Sequence, residues 1–180
     1  MKLKPANVFI FATFQLFSIS AFSQNKANLN SLLDKNSEFI FPQTQENISK
    51  VLQVKPVISG DANDEKYAYW HTKSGLELYC SLENDQRINE MFFDIPDDKF
   101  IVVSGLPYDL IMNKTTSQEV KSKFSKYQPK SEKLDDGSSF SGGSKLTLKK
   151  GSHYLTLFFD NKDVLKFLGI TTQLIDPAAN

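Results

Sequence analysis

Apolar positions along this chain fall into two patterns, and each pattern occurs twice. Val120, Phe124 and Tyr127 recur at i, i+4 and i+7, the spacing of one helical face. Thr116 with Glu119 three residues on predicts a capping box at the start of that helix. Pro129 ends it, because the residue before a proline is pushed out of the α region. Thr44, Ile48, Val51, Leu52 and Lys55, closed by Pro56, give the same pattern at a shift of 72 residues, Thr44 matching Thr116.

Strict alternation follows each helix. Leu78, Cys80 and Leu82 alternate with Glu77, Tyr79, Ser81 and Glu83; Leu155, Leu157 and Phe159 alternate with Tyr154, Thr156 and Phe158. Period two is the signature of a half-buried strand. Asn84-Asp85 and Asp160-Asn161 read as turns. Beyond them, Ile88 matches Val164 and Met91 matches Phe167 at a shift of 76. A further strand covers Tyr67 to Thr72, with Tyr67, Tyr69 and His71 on one side and Ala68 and Trp70 on the other. Phe100 to Ser104 is a strong β run, whereas Ile58 to Lys66 and Gly137 to Ser144 read as loops, the latter a flexible connector.

These patterns predict an α+β fold of two similar modules, each one helix plus a three-stranded antiparallel sheet. The clearer copy runs from Thr116 to Ile170 and the fainter from Thr44 to about Ile95. The expected division is a signal peptide at 1–23, a linker or short helix at 24–38, modules at 39–104 and 105–172, and a tail at 173–180.

The leader reading changes the compartment. Lys2 and Lys4 form a positive start, Val8 to Phe17 is a short apolar run, and Ala21-Phe22-Ser23 offers small residues at a cleavage site. The run is shorter than the roughly 20 residues a membrane helix needs. The expected protein is therefore periplasmic or secreted, with no membrane span in the mature chain of about 157 residues. No cysteine stands near the cleavage point to carry a lipid anchor. With Lys2 and Lys4 removed, 19 basic residues face 21 acidic ones, a balance that argues against nucleic acid as partner.

Candidate chemistry is sparse. The single Cys80 lies between Leu78 and Leu82 on the apolar side of its strand, the place of a small buried hydrophobe. The two histidines, His71 and His153, have no partner at metal-ligand spacing, and there is no Cys-x-x-Cys. Ser141-Gly142-Gly143 lacks the strand-turn-helix setting of a nucleophile elbow. The pairs Asp97-Asp98 and Asp135-Asp136 read as solvated turns. No catalytic, cofactor or metal residue is assigned. The aromatics say more: if Leu78, Cys80 and Leu82 face a helix, then Tyr67, Tyr69, Tyr79, Tyr154 and Phe158 gather on the opposite sheet face. Exposed Tyr and Phe rows are the usual anchors of protein interfaces.

Leu106-Pro107-Tyr108-Asp109-Leu110, then Thr116-Ser117-Gln118-Glu119-Val120 and residues 124–129, resembles the helix motif of the SmpA/OmlA-like outer-membrane assembly lipoproteins. The duplicated module is similar to the β-lactamase inhibitory protein family. The resemblance implies a helix packed on a three- or four-stranded sheet whose open face binds other proteins; no family functional residue transfers to this chain. The expected function is an exported, non-enzymatic protein-binding module, an inhibitor or a periplasmic immunity protein against a toxin. A cell-envelope assembly factor and a hydrolase with an unrecognised site are the alternatives.

Cleavage between Ser23 and Gln24 is the first testable consequence. Intact-mass measurement of the exported protein should give a chain starting at Gln24. A cytoplasmic protein retaining Met1 would overturn the compartment.

Overall fold

The computed structural model describes residues 25–60, 65–82, 87–96 and 99–173. The expected signal peptide and its cleavage site, the turn at Asn84-Asp85, the pair Asp97-Asp98 and tail residues 174–180 lie outside this range. The elements are β1 (Asn25–Lys26), α1 (Gln45–Leu52), β2 (Val57–Gly60), β3 (Lys66–His71), β4 (Glu77–Ser81), β5 (Glu90–Asp94), β6 (Val103–Ser104), α2 (Ser117–Lys123), β7 (Lys130–Lys133), β8 (Ser144–Lys150), β9 (His153–Phe159) and β10 (Leu165–Thr171).

Both helices start where their caps require. The Thr116 hydroxyl accepts the Glu119 N–H at 3.2 Å, and the Glu119 carboxylate accepts the Thr116 N–H at 2.7 Å. Thr44 accepts the Asn47 N–H at 3.2 Å. Left-handed residues close the other ends, Gln53 after α1 and Gln128 after the turn that extends α2. Ile48, Val120 and Phe124 point from the helices into the core.

The expected pair of three-stranded modules is not what forms. One antiparallel sheet of eight strands runs through the molecule in the order β2-β3-β4-β5-β10-β9-β8-β7. Its centre is the pairing of β5 with β10, from Glu90 opposite Thr171 to Asp94 opposite Phe167. That pairing joins residues far apart in sequence, so no local period announces it. The fourth strand of each half, β2 or β7, is exposed at every position and carries no apolar alternation. β2 occupies the start of the segment expected to be a loop.

Two smaller expectations also change. Of the β run expected from Phe100 to Ser104, only β6 is a strand; it pairs in parallel with β1. Residues 24–38, expected as a linker or short helix, hold where described a short 3-10 turn at Asn30–Leu32, with Ala27, Leu29 and Leu32 buried in the core. The Met91–Phe167 match fails: a register shift between Leu165 and Phe167 turns Phe167 to the face opposite Met91.

The buried face of the sheet carries Ala68, Trp70, Leu78, Cys80, Met91 and Phe93 from one half, and Leu146, Leu155, Leu157, Leu168 and Ile170 from the other. These join the helices and the segment from Val103 to Met112 in one continuous core. The Trp70 indole N–H donates to Ser49 of α1 at 3.0 Å, which lets a large amphipathic ring be buried with its polar atom satisfied. No helix among the described residues is long and apolar enough to cross a membrane.

Phe124 tests this assignment. It is 2% exposed and stands edge-on to Tyr108 at 5.5 Å. Phe124→Ala should cost about 3–5 kcal/mol in denaturant melts, the usual loss for a large buried aromatic.

Candidate functional site

Because sheet side chains alternate, covering one face with helices leaves the other to a different set of residues. Register places Val57, Tyr69, Tyr79, Phe92, Gly169, Thr156, Thr147 and Lys130 in one row across all eight strands. A second row carries His71, Glu77, Asp94, Phe167, Phe158, Lys145 and Glu132. Apart from Gly169, the residues of both rows are half-buried or exposed.

The rings on this face touch in sequence. Tyr67 to Tyr69 is 6.4 Å between centroids, Tyr69 to Tyr79 5.4 Å, Tyr79 to Phe92 4.9 Å, Phe92 to Phe167 5.9 Å, Phe167 to Phe158 5.2 Å and Phe158 to Phe140 5.8 Å. The result is a half-buried aromatic strip spanning the open face. Gly169 makes room at its middle: a Cβ there would stand 3.1 Å from the Phe92 ring and 3.2 Å from the Phe167 ring.

All five expected anchors lie on this face. Tyr67, Tyr69 and Tyr79 form one end of the strip, and Phe158 lies toward the other. Tyr154 is on the same face and makes none of the ring contacts of the strip; the Lys149 ammonium sits 4.7 Å from its ring centroid. Phe92, Phe167 and Phe140 complete the strip and were not foreseen. Phe92 sits in the unbroken run Met91-Phe92-Phe93, where alternation cannot be read, and Phe167 follows the register shift. Phe140 belongs to the segment expected to be a flexible connector, yet its ring is packed on Phe158.

Polar groups edge the strip. The His71 ring nitrogen lies 2.7 Å from Glu77, and Lys145 pairs with Glu132 at 3.4 Å. An open groove of about 960 Å³ runs along the half built from β7 to β10, lined by Phe92, Tyr154, Phe158, Phe167, Lys145 and Lys149 among others. Burial, reinforced by Asp94 and Glu90, pushes the Tyr79 hydroxyl up to about 12, so it stays protonated and can donate a hydrogen bond.

A second polar cluster lies on the helix side. The Tyr108 hydroxyl is 2.9 Å from Nδ1 of His153, Glu38 lies 3.7 Å from the same nitrogen, and Lys150 pairs with Glu38. Tyr108 has φ 61°, a left-handed conformation unusual for an aromatic residue. Contacts fix it on all sides: its N–H donates to Ser37, and its carbonyl accepts from Lys123. This arrangement fastens the 34–38 segment to the second half of the sheet. Its hydroxyl is raised by burial and by Glu38, which keeps the phenol protonated rather than nucleophilic. Burial also pushes the Cys80 thiol up to about 12, away from reactivity. No group of three or more metal-ligating side chains gathers among the described residues.

No protein-family model matches the chain, those of the SmpA/OmlA-like and β-lactamase inhibitory proteins included. No curated protein matches it. Among solved structures, a DUF4309 family protein (YjgB) from Bacillus subtilis subsp. subtilis strain 168 is similar at 11% identity. That match covers 75% of this chain and 82% of that one, with a TM-score of 0.49, too low to bear on fold or function.

The cluster around His153 gives a pH test. Burial holds the His153 imidazole below its usual range, with Glu38 pulling the other way. The unfolded chain, whose histidines titrate near about 6.5, then binds the proton more readily than the fold. Stability is fully present above that value and falls as pH drops below it, by at most about 1.4 kcal/mol per pH unit for one proton. Denaturant melts from pH 7.5 to 5.5 should show this decline, and His153→Gln should flatten it.

Proposed function

We propose that the chain is a non-enzymatic protein-binding module that seats another protein on the open face of its sheet. The continuous aromatic strip carries this reading. Cross-strand pairs of this kind contribute roughly 0.2–1 kcal/mol each to a sheet, a small gain for keeping so many rings next to water. The same rings at the centre of an interface are worth far more, since buried Tyr anchors are typical hot spots.

The geometry of the rings favours a protein over a flat ligand. Tyr69 and Tyr79 are inclined by only 23° at 5.4 Å, and Phe92 and Phe167 by 23° at 5.9 Å. Near-parallel rings at these separations lie partly face over face. Their faces are turned to one another, so a nucleobase or a sugar ring finds little free surface to stack on. Edges and protected hydroxyls remain, and these suit apolar side chains and backbone groups of a partner. Inhibition of the bound protein, or periplasmic immunity against a toxin, is the form of binding that suits an exported chain without an assigned catalytic set.

The test places a photo-crosslinking residue at Thr156, within the open face, and exposes the protein to an extract of its own cell envelope. A single protein adduct is expected, and Tyr79→Ala or Phe92→Ala should weaken its affinity by about 2 kcal/mol, roughly thirty-fold. Their melts should fall by no more than about 0.4–2 kcal/mol, the loss of two ring pairs each. A loss of stability as large as that of Phe124→Ala would show that the strip is packing rather than interface.

A further inference from the structure

The two ends of the sheet are built differently. β7 ends it with Lys130, Ser131, Glu132 and Lys133, all exposed, a charged edge of the kind that prevents strand addition. β2 ends it with Val57, Ile58, Ser59 and Gly60, also exposed at every position and without a charge. Val57 is 57% exposed and Ile58 49%, two of the largest apolar exposures on the described surface. β2 is hydrogen-bonded to β3 on one side only, and among the described residues no strand pairs its other side.

We propose that two copies of this chain associate through β2, edge to edge and antiparallel, about a two-fold axis normal to the sheet. Between copies of this chain, the asymmetry of the edges selects this contact. A head-to-tail contact would have to bring β2 against the charged β7 edge and would continue without limit. An isologous β2–β2′ contact uses only the bare edge and leaves both charged edges outside, so it closes as a dimer. The resulting sheet has sixteen strands, twice the eight of one copy.

Register follows from the faces. Val57 stands opposite Tyr69 on the open face, and Ile58 stands opposite Ala68 on the helix face. A two-fold axis normal to the sheet keeps each face on its own side. Residues in opposition must therefore share a face, because a one-residue slip would reverse every side chain. The register centred on Ile58 places Ile58 against its copy and Val57 against Ser59 of the partner copy. A register centred on Ser59 would leave Ile58 against Gly60 and bury less apolar surface. The Ile58-centred arrangement also sets the two aromatic strips on one side, each beginning at the junction with Val57 and Tyr69. The inference does not depend on what the open face binds.

Directly opposed antiparallel residues have Cα atoms about 4.5–5.5 Å apart, within reach of a disulfide. Ile58→Cys should therefore give a crosslinked dimer under mild oxidation, whereas Ser131→Cys on the β7 edge should stay monomeric. Cys80 is buried and does not interfere. Without crosslinking, the mature protein should show a concentration-dependent dimer mass by light scattering, and Ile58→Lys should shift it to monomer while keeping the melt that the wild type shows when diluted to monomer. A wild-type protein that stays monomeric at high concentration would overturn the proposal. Crosslinking through Ser131→Cys in preference to Ile58→Cys would do the same, by showing that the charged edge is the one in contact.

Discussion

Where Glu90–Asp94 runs antiparallel to Phe167–Thr171, the last strand of each half finds its partner in the other half. Without that pairing, β5 and β10 would each be an edge strand carrying buried apolar residues beside unpaired backbone, a poor end for any sheet. With it, the two halves share one core, and Met91, Phe93, Leu168 and Ile170 lie at its centre. Both helices then cover the same face. The constraint that closes the core thus also leaves the opposite face open across the whole sheet, and it sets Phe92 directly against Gly169.

Gly169 shows how closely the open face depends on that junction. It lies inside a strand, where glycine weakens a sheet by roughly 0.5–1 kcal/mol relative to alanine. Its role is space, because the Phe92 and Phe167 rings close over it from both sides. With a side chain in that place, the rings on the two halves would be separated, leaving the tyrosines of β3 and β4 apart from the phenylalanines of β9 and β10. A cost in strand propensity is offset by continuity of the strip.

Local chemistry was legible in the sequence and long-range pairing was not. Thr116 with Glu119 marks a cap through atoms within one turn, and the alternation of Leu155, Thr156, Leu157 and Phe158 reports faces without knowledge of any partner. By contrast, nothing within Glu90–Asp94 names β10 as its neighbour. β2 and β7 were missed because an exposed edge strand needs no apolar face. The site followed the same rule. Tyr67, Tyr69, Tyr79, Tyr154 and Phe158 lie in alternating runs and could be placed, whereas Phe92 has an apolar neighbour on each side in the chain. Phe167 was misassigned because one shifted residue in β10 reverses its face.

The uncovered apolar surface of the molecule is distributed by these same constraints. On the helix side, polar groups that enter the core have partners: Trp70 has Ser49, Tyr108 has His153, and Glu38 has Lys150 and His153. No described buried side-chain nitrogen or oxygen is left without a partner. Binding through those buried groups would first have to break satisfied contacts, and each orphaned buried group costs about 1–3 kcal/mol. The open face and the β2 edge differ in kind. Their rings, methyl groups and edge backbone already face water, so a partner can cover them without displacing any contact that holds the fold. The first row of the open face begins at Val57, and recognition on that face and growth of the sheet therefore meet at one end of the molecule.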